Sequence, residues 1–448
     1  MSWKEISPGH FQRPLGENER FIKAIGDRAH NTGREHWSIT AHATFILQAD
    51  LPPGTVAGRL RQAWRALRFE HPSIASTASD NTLDYTVPTA PELENWVEET
   101  FTLIASNESL NDIIARLEPS RYVTGCYLPH TSQFIIHLAH WRTDGYGALQ
   151  LLDAFFESCL RAETEDLPWG SEVSRLVPTV EEALANPIES TPEIQAAAQK
   201  YMSTVALTKG AVGVAQTKDI STPPSGTRRA YHRFSPETTK TIGQVCEAKG
   251  ISVLSAVHAS TAAATWFFAS PDGKEKPYTS TMRFSLRPYL PEPYNNASVA
   301  AGIYTGGYMF QVPALQTWIE NARQYHDEYE TGVKKDFLQS RRQYAQDVFE
   351  KMKSPPVPGT PPSEIDISFV DAPSLVKISY ATAREGLEVL EVGVGVETLT
   401  RQMYCFVWEF RGSLELSVVY NEAFYEQTFV DEIVRRIGRI LEEELSVN

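Results

Sequence analysis

Long apolar runs are missing from this sequence. No stretch reaches the roughly 18 uninterrupted apolar residues of a membrane-spanning helix, and the opening Met1-Ser2-Trp3-Lys4-Glu5 lacks the apolar core of a signal peptide. An unanchored cytoplasmic protein, without a membrane partner, is the expectation. Cysteine is sparse as well: Cys126, Cys159, Cys246 and Cys405 stand far apart, in no metal-ligand spacing, each inside an apolar periodic stretch. They read as reduced core thiols of an intracellular protein, and nothing in their pattern points to a resident metal. Positive charge is in deficit. Lysine and arginine number 41 against 56 aspartates and glutamates, a net charge of −15 spread along the chain rather than gathered in a tail. That balance argues against nucleic acid as the main partner, and any anionic co-substrate would need a local basic pocket. No repeat at a solenoid period is visible.

What is present is ordinary globular composition on a long chain. With 448 residues, 42% of them hydrophobic and 22% charged, the sequence is too long for one typical core. It suggests two lobes of roughly 200 residues each. Val56, Leu60, Trp64 and Leu67 recur at helical spacing up to His71-Pro72, where the proline stops the helix. Phe134, Ile136 and Leu138 alternate as in a strand, and Ala148, Leu149, Leu152, Phe155, Phe156 and Cys159 mark an amphipathic helix directly after it. Between Glu165 and Arg229 the periodicity weakens under repeated prolines, which reads as a crossover with one or two short helices. The expected division is therefore an N-terminal lobe over 1–178, a linker over 179–228 and a C-terminal lobe over 229–448. In the second lobe, Ser235-Pro236-Glu237 opens a helix, Val253 to Phe268 reads as a buried helix, and polar helices fill 314–353. A surface loop is expected over Ser354 to Pro362. A strand over Leu387 to Val396, a hairpin turning at Arg411-Gly412, and a last helix carrying Phe429, Ile433, Ile437 and Leu441 complete a mixed α/β fold.

The chemistry concentrates in Phe134-Ile135-Ile136-His137-Leu138-Ala139-His140-Trp141-Arg142-Thr143-Asp144-Gly145. This segment sets an imidazole at the end of a buried strand, an acid four residues on, and a glycine before the helix. Imidazole, with an ordinary pKa of about 6.5, takes a proton from an attacking hydroxyl or amine at neutral pH, so His140 is the candidate general base. Asp144 has two roles open to it, helix N-cap or turn-shaping anion. Gly145 lets the backbone bend before the helix. His137 reads as a packed histidine. Trp141, beside the base, is a candidate for the acceptor side of a substrate channel. Lys274, Lys276, Lys334-Lys335 and Arg341-Arg342 are either phosphate contacts or solvated surface charge, the second being the commoner state.

The pattern His140-Trp141-Arg142-Thr143-Asp144-Gly145 resembles the HxxxDG hallmark of the chloramphenicol-acetyltransferase-like superfamily. That superfamily includes peptide condensation domains, plant acyl-CoA-dependent acyltransferases and fungal trichothecene O-acetyltransferases. Trp64 to Pro72 is similar to its first long helix ending in His-Pro, and Ile251 to Ser260 to its buried second-lobe helix. Leu286-Arg287-Pro288-Tyr289-Leu290-Pro291 is similar to its LRP-type segment. The resemblance implies a tunnel between two lobes and His140 as base. It also implies an Asp144–Arg287 ion pair supporting the motif, for which Arg283 is the competing partner. Ser368, in the strand-like Ile365 to Asp371, falls where relatives line the tunnel, which makes it a candidate oxyanion or substrate contact. Ala139 stands where condensation domains carry a second histidine, and the plant DFGWG motif is absent, so a stand-alone fungal-type O-acyltransferase is favoured. Acyl-CoA is then the expected co-substrate, with no bound cofactor, a small-molecule acceptor and a monomeric enzyme. A condensation-like enzyme that takes its acyl group from an acyl carrier protein, or is repurposed for cyclisation, is the alternative, and a non-catalytic binding module on the same scaffold is a third reading.

Overall fold

Alternation turns into a central strand buried on both faces. In the computed structural model, which describes residues 2–48, 53–79, 81–161, 167–354, 361–382 and 385–447, strand Gln133–Leu138 is followed by helix Gly145–Cys159. Phe134, Ile136 and Leu138 enter the main core of the first lobe, while Ile135 packs the opposite face with Cys126 and Leu128. Helix Pro53–Glu70 lies against Gly145–Cys159 and inserts Leu60, Trp64 and Leu67, all fully buried. Trp64 stacks on Trp96, and Phe155 stacks on Phe134 with ring centroids 4.0 Å apart. Aromatic area of this size dominates the energetics of the first core.

The second core is built on a four-stranded sheet in the order Ile365–Phe369, Met403–Phe410, Ser413–Asn421, Thr227–Arg233. The apolar helix Val253–Phe267 and the amphipathic helix Gln427–Leu445 pack together with it. The hairpin turns at Arg411 and Gly412, with φ of 52° and 78°. Both residues lie in the left-handed region that a two-residue hairpin matching strand twist requires. Helix Pro236–Ala248 starts as read, with the Ser235 hydroxyl accepting from the Thr238 N–H at 3.0 Å. Over 314–353 three helices form, Trp318–Thr331, Lys335–Gln339 and Arg341–Lys351. Within the crossover lie Val180–Ala183 and Pro192–Thr204. Most of the expected loop at Ser354 to Pro362, and the start of the crossover at Glu165, lie outside the described residues.

One feature departs from a simple N-to-C division. Strands Ser379–Ala381 and Gly386–Val396 leave the second half and complete a six-stranded sheet with Ile39–Gln48, Gln133–Leu138, Thr124–Leu128 and Phe101–Leu103. Gly386–Val396 pairs antiparallel along almost the whole of Ile39–Gln48, from Gly386 opposite Gln48 to Val396 opposite Ile39. Residues 379–396 thus belong to the first lobe's sheet, because the strand carrying Val389, Val392 and Val394 gains its burial there. Among the described residues no helix is long and apolar enough to cross a membrane.

Candidate active site

His140 stands between strand and helix. The strand ends at Leu138, residues His140–Arg142 form a single 3₁₀ turn, and Asp144 caps the helix that begins at Gly145. The imidazole Nδ1 lies 3.0 Å from the Thr143 carbonyl oxygen. A carbonyl only accepts, so Nδ1 carries the hydrogen and Nε2 keeps its lone pair. Burial pushes the His140 pKa below the ordinary histidine value; backbone hydrogen bonds and the Asp144 charge oppose the shift, and Arg283 adds to it. The ring is thus held neutral, and among the described residues Nε2 has no hydrogen-bond partner.

Asp144 fills both positions open to it. Its Oδ1 accepts from the Gly147 N–H at 2.9 Å, which is the N-cap bond. Arg287 Nη1 donates to both carboxylate oxygens at 2.8 and 2.9 Å, and the Tyr304 N–H donates to Oδ2 at 2.8 Å. Both charged side chains are deeply buried, 3% exposed for Asp144 and 4% for Arg287. With four hydrogen bonds from three donors already in place, Asp144 fixes the turn and does not orient the imidazole. Arg283, the competing partner, is engaged elsewhere. It donates to Asp366 at 2.7 Å and to the Ile367 carbonyl at 2.6 Å. Burial alone would raise the Asp366 pKa, but the charge and hydrogen bond of Arg283 outweigh it and hold the carboxyl below its usual range.

A cavity of about 360 Å³ opens where the two lobes meet, and His140, Asp144, Gly145 and Ser368 all line it. Trp141 does not. It is buried in a separate cluster with Leu15, Leu83 and Ala139, beneath the Arg142 guanidinium. The reason is the 3₁₀ turn: at three residues per turn, neighbours project about 120° apart, so side chains 140 and 141 face different ways. Gly145 also departs from its expected role. It is absent from the glycines with positive φ, and an added Cβ would meet only Val370 and Val394 at 3.6 Å. Gly147 is the demanding position instead, since a Cβ there would lie 2.0 Å from Thr143 Oγ1 and 2.2 Å from the Ala300 carbonyl. Lys274, Lys334 and Lys335 are exposed and outside the cavity wall, as is Lys276. Arg341-Arg342 is not surface charge: Arg342 donates to both oxygens of Glu17 at 2.7 and 2.8 Å, and Arg341 is buried in the cavity wall beside Asn18.

Two wall residues had escaped the sequence reading, Trp37 and Tyr404. The Trp37 indole meets His140 edge-on at 6.3 Å between centroids and donates from Nε1 to the Tyr404 hydroxyl at 2.9 Å. Trp37 sits at φ 68°, an outlier for a bulky residue, and its N–H is anchored on the Glu397 carbonyl at 2.8 Å. No motif marks either residue; the available signal was an aromatic pair, His36-Trp37, in an otherwise polar segment before a strand. Asp27, His30 and Glu35 bring possible metal-ligand atoms within 4.8 Å of one another, but none lines the cavity and Lys23 already pairs with Asp27.

No family model matches the chain. Individual proteins do: it is 52% identical over 453 residues to acetyltransferase pigO of Monascus ruber, covering 100% of this chain and 99% of that one. It is also 30% identical to O-acetyltransferase pigM of the same organism, over 100% of this chain and 88% of the other. This chain belongs to the acyltransferase family of pigO and pigM. Among solved structures, the acyltransferase fold is similar to TRI3 trichothecene 15-O-acetyltransferase from Fusarium sporotrichioides, with a TM-score of 0.83 at 15% identity, over 100% of this chain and 98% of that one. It is similar at a TM-score of 0.64 and 12% identity to the condensation domain of the monacolin K polyketide synthase MokA, over 100% and 98% of the two chains. The acyltransferase therefore has the chloramphenicol-acetyltransferase-like fold, mixed α/β, with the cavity at the junction of its lobes.

Proposed function

We propose that this acyltransferase moves an acyl group from acyl-CoA to a hydroxyl or amine of a small secondary metabolite, with His140 as general base. The observation that carries the reading is the Nδ1 contact to the Thr143 carbonyl, which leaves the Nε2 lone pair of a cavity-lining imidazole free. Relatives named acetyltransferase and O-acetyltransferase support an acetyl group and a hydroxyl acceptor. Phe21, Ile39, Phe284, Ile303 and Met309 give the cavity apolar walls, which suit a largely apolar acceptor body.

In the reaction, Nε2 takes the acceptor proton as the acceptor oxygen bonds to the thioester carbonyl carbon. The carbonyl π pair moves onto oxygen. Collapse re-forms the C=O bond and expels the thiolate, which takes the proton back from the imidazolium and leaves as free thiol. Base assistance of this kind contributes about 10² to 10⁴-fold, in addition to the gain from holding both substrates in one cavity.

The experiment is thiol release from acetyl-CoA, with purified protein and a panel of small aromatic and polyketide alcohols. Release by the wild type that disappears in a folded His140→Ala variant supports the reading. No release with any acceptor overturns it. The condensation-domain likeness favours one alternative, a carrier-bound acyl donor, which would give turnover with an acetylated phosphopantetheinyl carrier protein and none with acetyl-CoA. Calorimetric binding of an alcohol without any turnover would favour a binding module.

A further inference from the structure

The tetrahedral intermediate needs a hydrogen-bond donor for its oxyanion, and the motif supplies none. Tyr404 has the required features. It lines the same cavity as His140 and is 3% exposed. Its oxygen accepts the Trp37 indole N–H at 2.9 Å, and among the described residues its own O–H has no acceptor. The donor is therefore pinned through its oxygen while its proton is unspent. Trp37 also contacts the imidazole, so one indole sets the phenol and the base against the same space. The left-handed backbone of Trp37, anchored on Glu397, fixes where that indole points.

The surroundings favour a neutral phenol with a polarised O–H. Burial raises the Tyr404 pKa above the ordinary tyrosine value, the Trp37 bond and Arg283 opposing it, so the hydroxyl keeps its hydrogen at neutral pH. The indole bond to its oxygen strengthens the hydrogen bond that it donates. The Arg283 guanidinium lies 5.7 Å from the centre of the Tyr404 ring, on the same wall. Ser368 competes for the role, since it too lines the cavity. Its hydroxyl makes no hydrogen bond among the described residues, so it is free to rotate and would have to be ordered during the reaction.

We infer that Tyr404 is the oxyanion donor of this acyltransferase, held in place by Trp37. The inference rests on the acyl-transfer reading above, and His140 and Tyr404 then divide the work. Nε2 receives the acceptor proton, while the Tyr404 O–H donates to the oxygen that gains the carbonyl π pair. When the C=O bond re-forms and the thiolate leaves, the phenol has kept its proton throughout. Trp37 is a positioning residue, acting through the tyrosine whose oxygen it holds.

The test is steady-state kinetics with acetyl-CoA and the alcohol of the panel that the wild type turns over fastest. Tyr404→Phe is expected to lower kcat by about 10² to 10³-fold, the usual effect of deleting one oxyanion donor, with KM for both substrates nearly unchanged. Trp37→Phe keeps the phenol but frees its oxygen, and is expected to lower kcat by about tenfold, less than the deletion itself. Ser368→Ala is expected to lower kcat far less than Tyr404→Phe does. Circular dichroism and thermal melting establish that each variant is folded. A folded Tyr404→Phe with wild-type kcat overturns the assignment, as does a rise in KM with kcat unchanged. A large kcat loss in Ser368→Ala beside an active Tyr404→Phe transfers the role to Ser368. His140→Ala separates the two levels: if it is inactive while Tyr404→Phe is fully active, only the oxyanion assignment falls, and if it is fully active the general-base reading falls first.

Discussion

At the scale of residues, the site rests on two buried devices that respond differently to perturbation. His140, the proposed base, has its pKa lowered by burial. Protonation removes the Nε2 lone pair, so activity is full above the folded pKa and is lost as pH falls through it. A kcat/KM profile for acetyl transfer should therefore have its acidic limb below pH 6.5 and be flat at neutral pH; a limb centred above 7 would contradict the assignment. The Asp144–Arg287 pair is structural. Asp144→Ala should cost about 3–5 kcal/mol in urea unfolding, because it strands a buried guanidinium. The double variant Asp144→Leu/Arg287→Met should recover part of that loss, since neither charge is left behind. These residues were legible because one short motif and one LRP-type segment carry them. Trp37 and Tyr404 were not, because their place at the site depends on a positive φ and on a side-chain hydrogen bond between residues 367 positions apart. Trp141 was misjudged by adjacency alone, which a 3₁₀ turn breaks.

At the scale of elements, the strand, turn and helix around the site follow from local chemistry. Alternation gives Gln133–Leu138, and the Asp144 cap starts Gly145–Cys159. The sequence singled out Gly145 as the glycine the backbone needs, and nothing in it marked Gly147. Gly145 only borders the cavity, whereas Gly147 lets the first helical turn approach Thr143, the Ala300 carbonyl and Arg287. Two of the three neighbours, Ala300 and Arg287, come from segments distant in sequence, so periodicity around 145 and 147 carries no trace of them. Gly147→Ala should destabilise the protein by about 3 kcal/mol or more and abolish activity, since the clash is with backbone that has no room to yield. Gly145→Ala should fold normally and act mainly on KM, by narrowing the cavity. Melting temperatures of the two variants, compared side by side, check this ordering; equal losses would contradict it.

At the scale of the whole molecule, two cores and a mixed α/β class could be read from length and pattern, but the crossing of 379–396 into the first lobe's sheet could not. Strand alternation fixes which face is buried and leaves open which sheet receives it. That crossing brings Val394 and Val396 to the cavity wall beside His140 from the first half and Tyr404 from the second. The cavity thus exists only in the assembled chain. The proposed acyl transfer from a thioester through His140 is tested most directly by counting free thiol released from acetyl-CoA in the presence of an alcohol acceptor. Wild-type enzyme should release thiol in step with ester formation, and folded His140→Ala should release none above background; undiminished release by that variant would contradict the account.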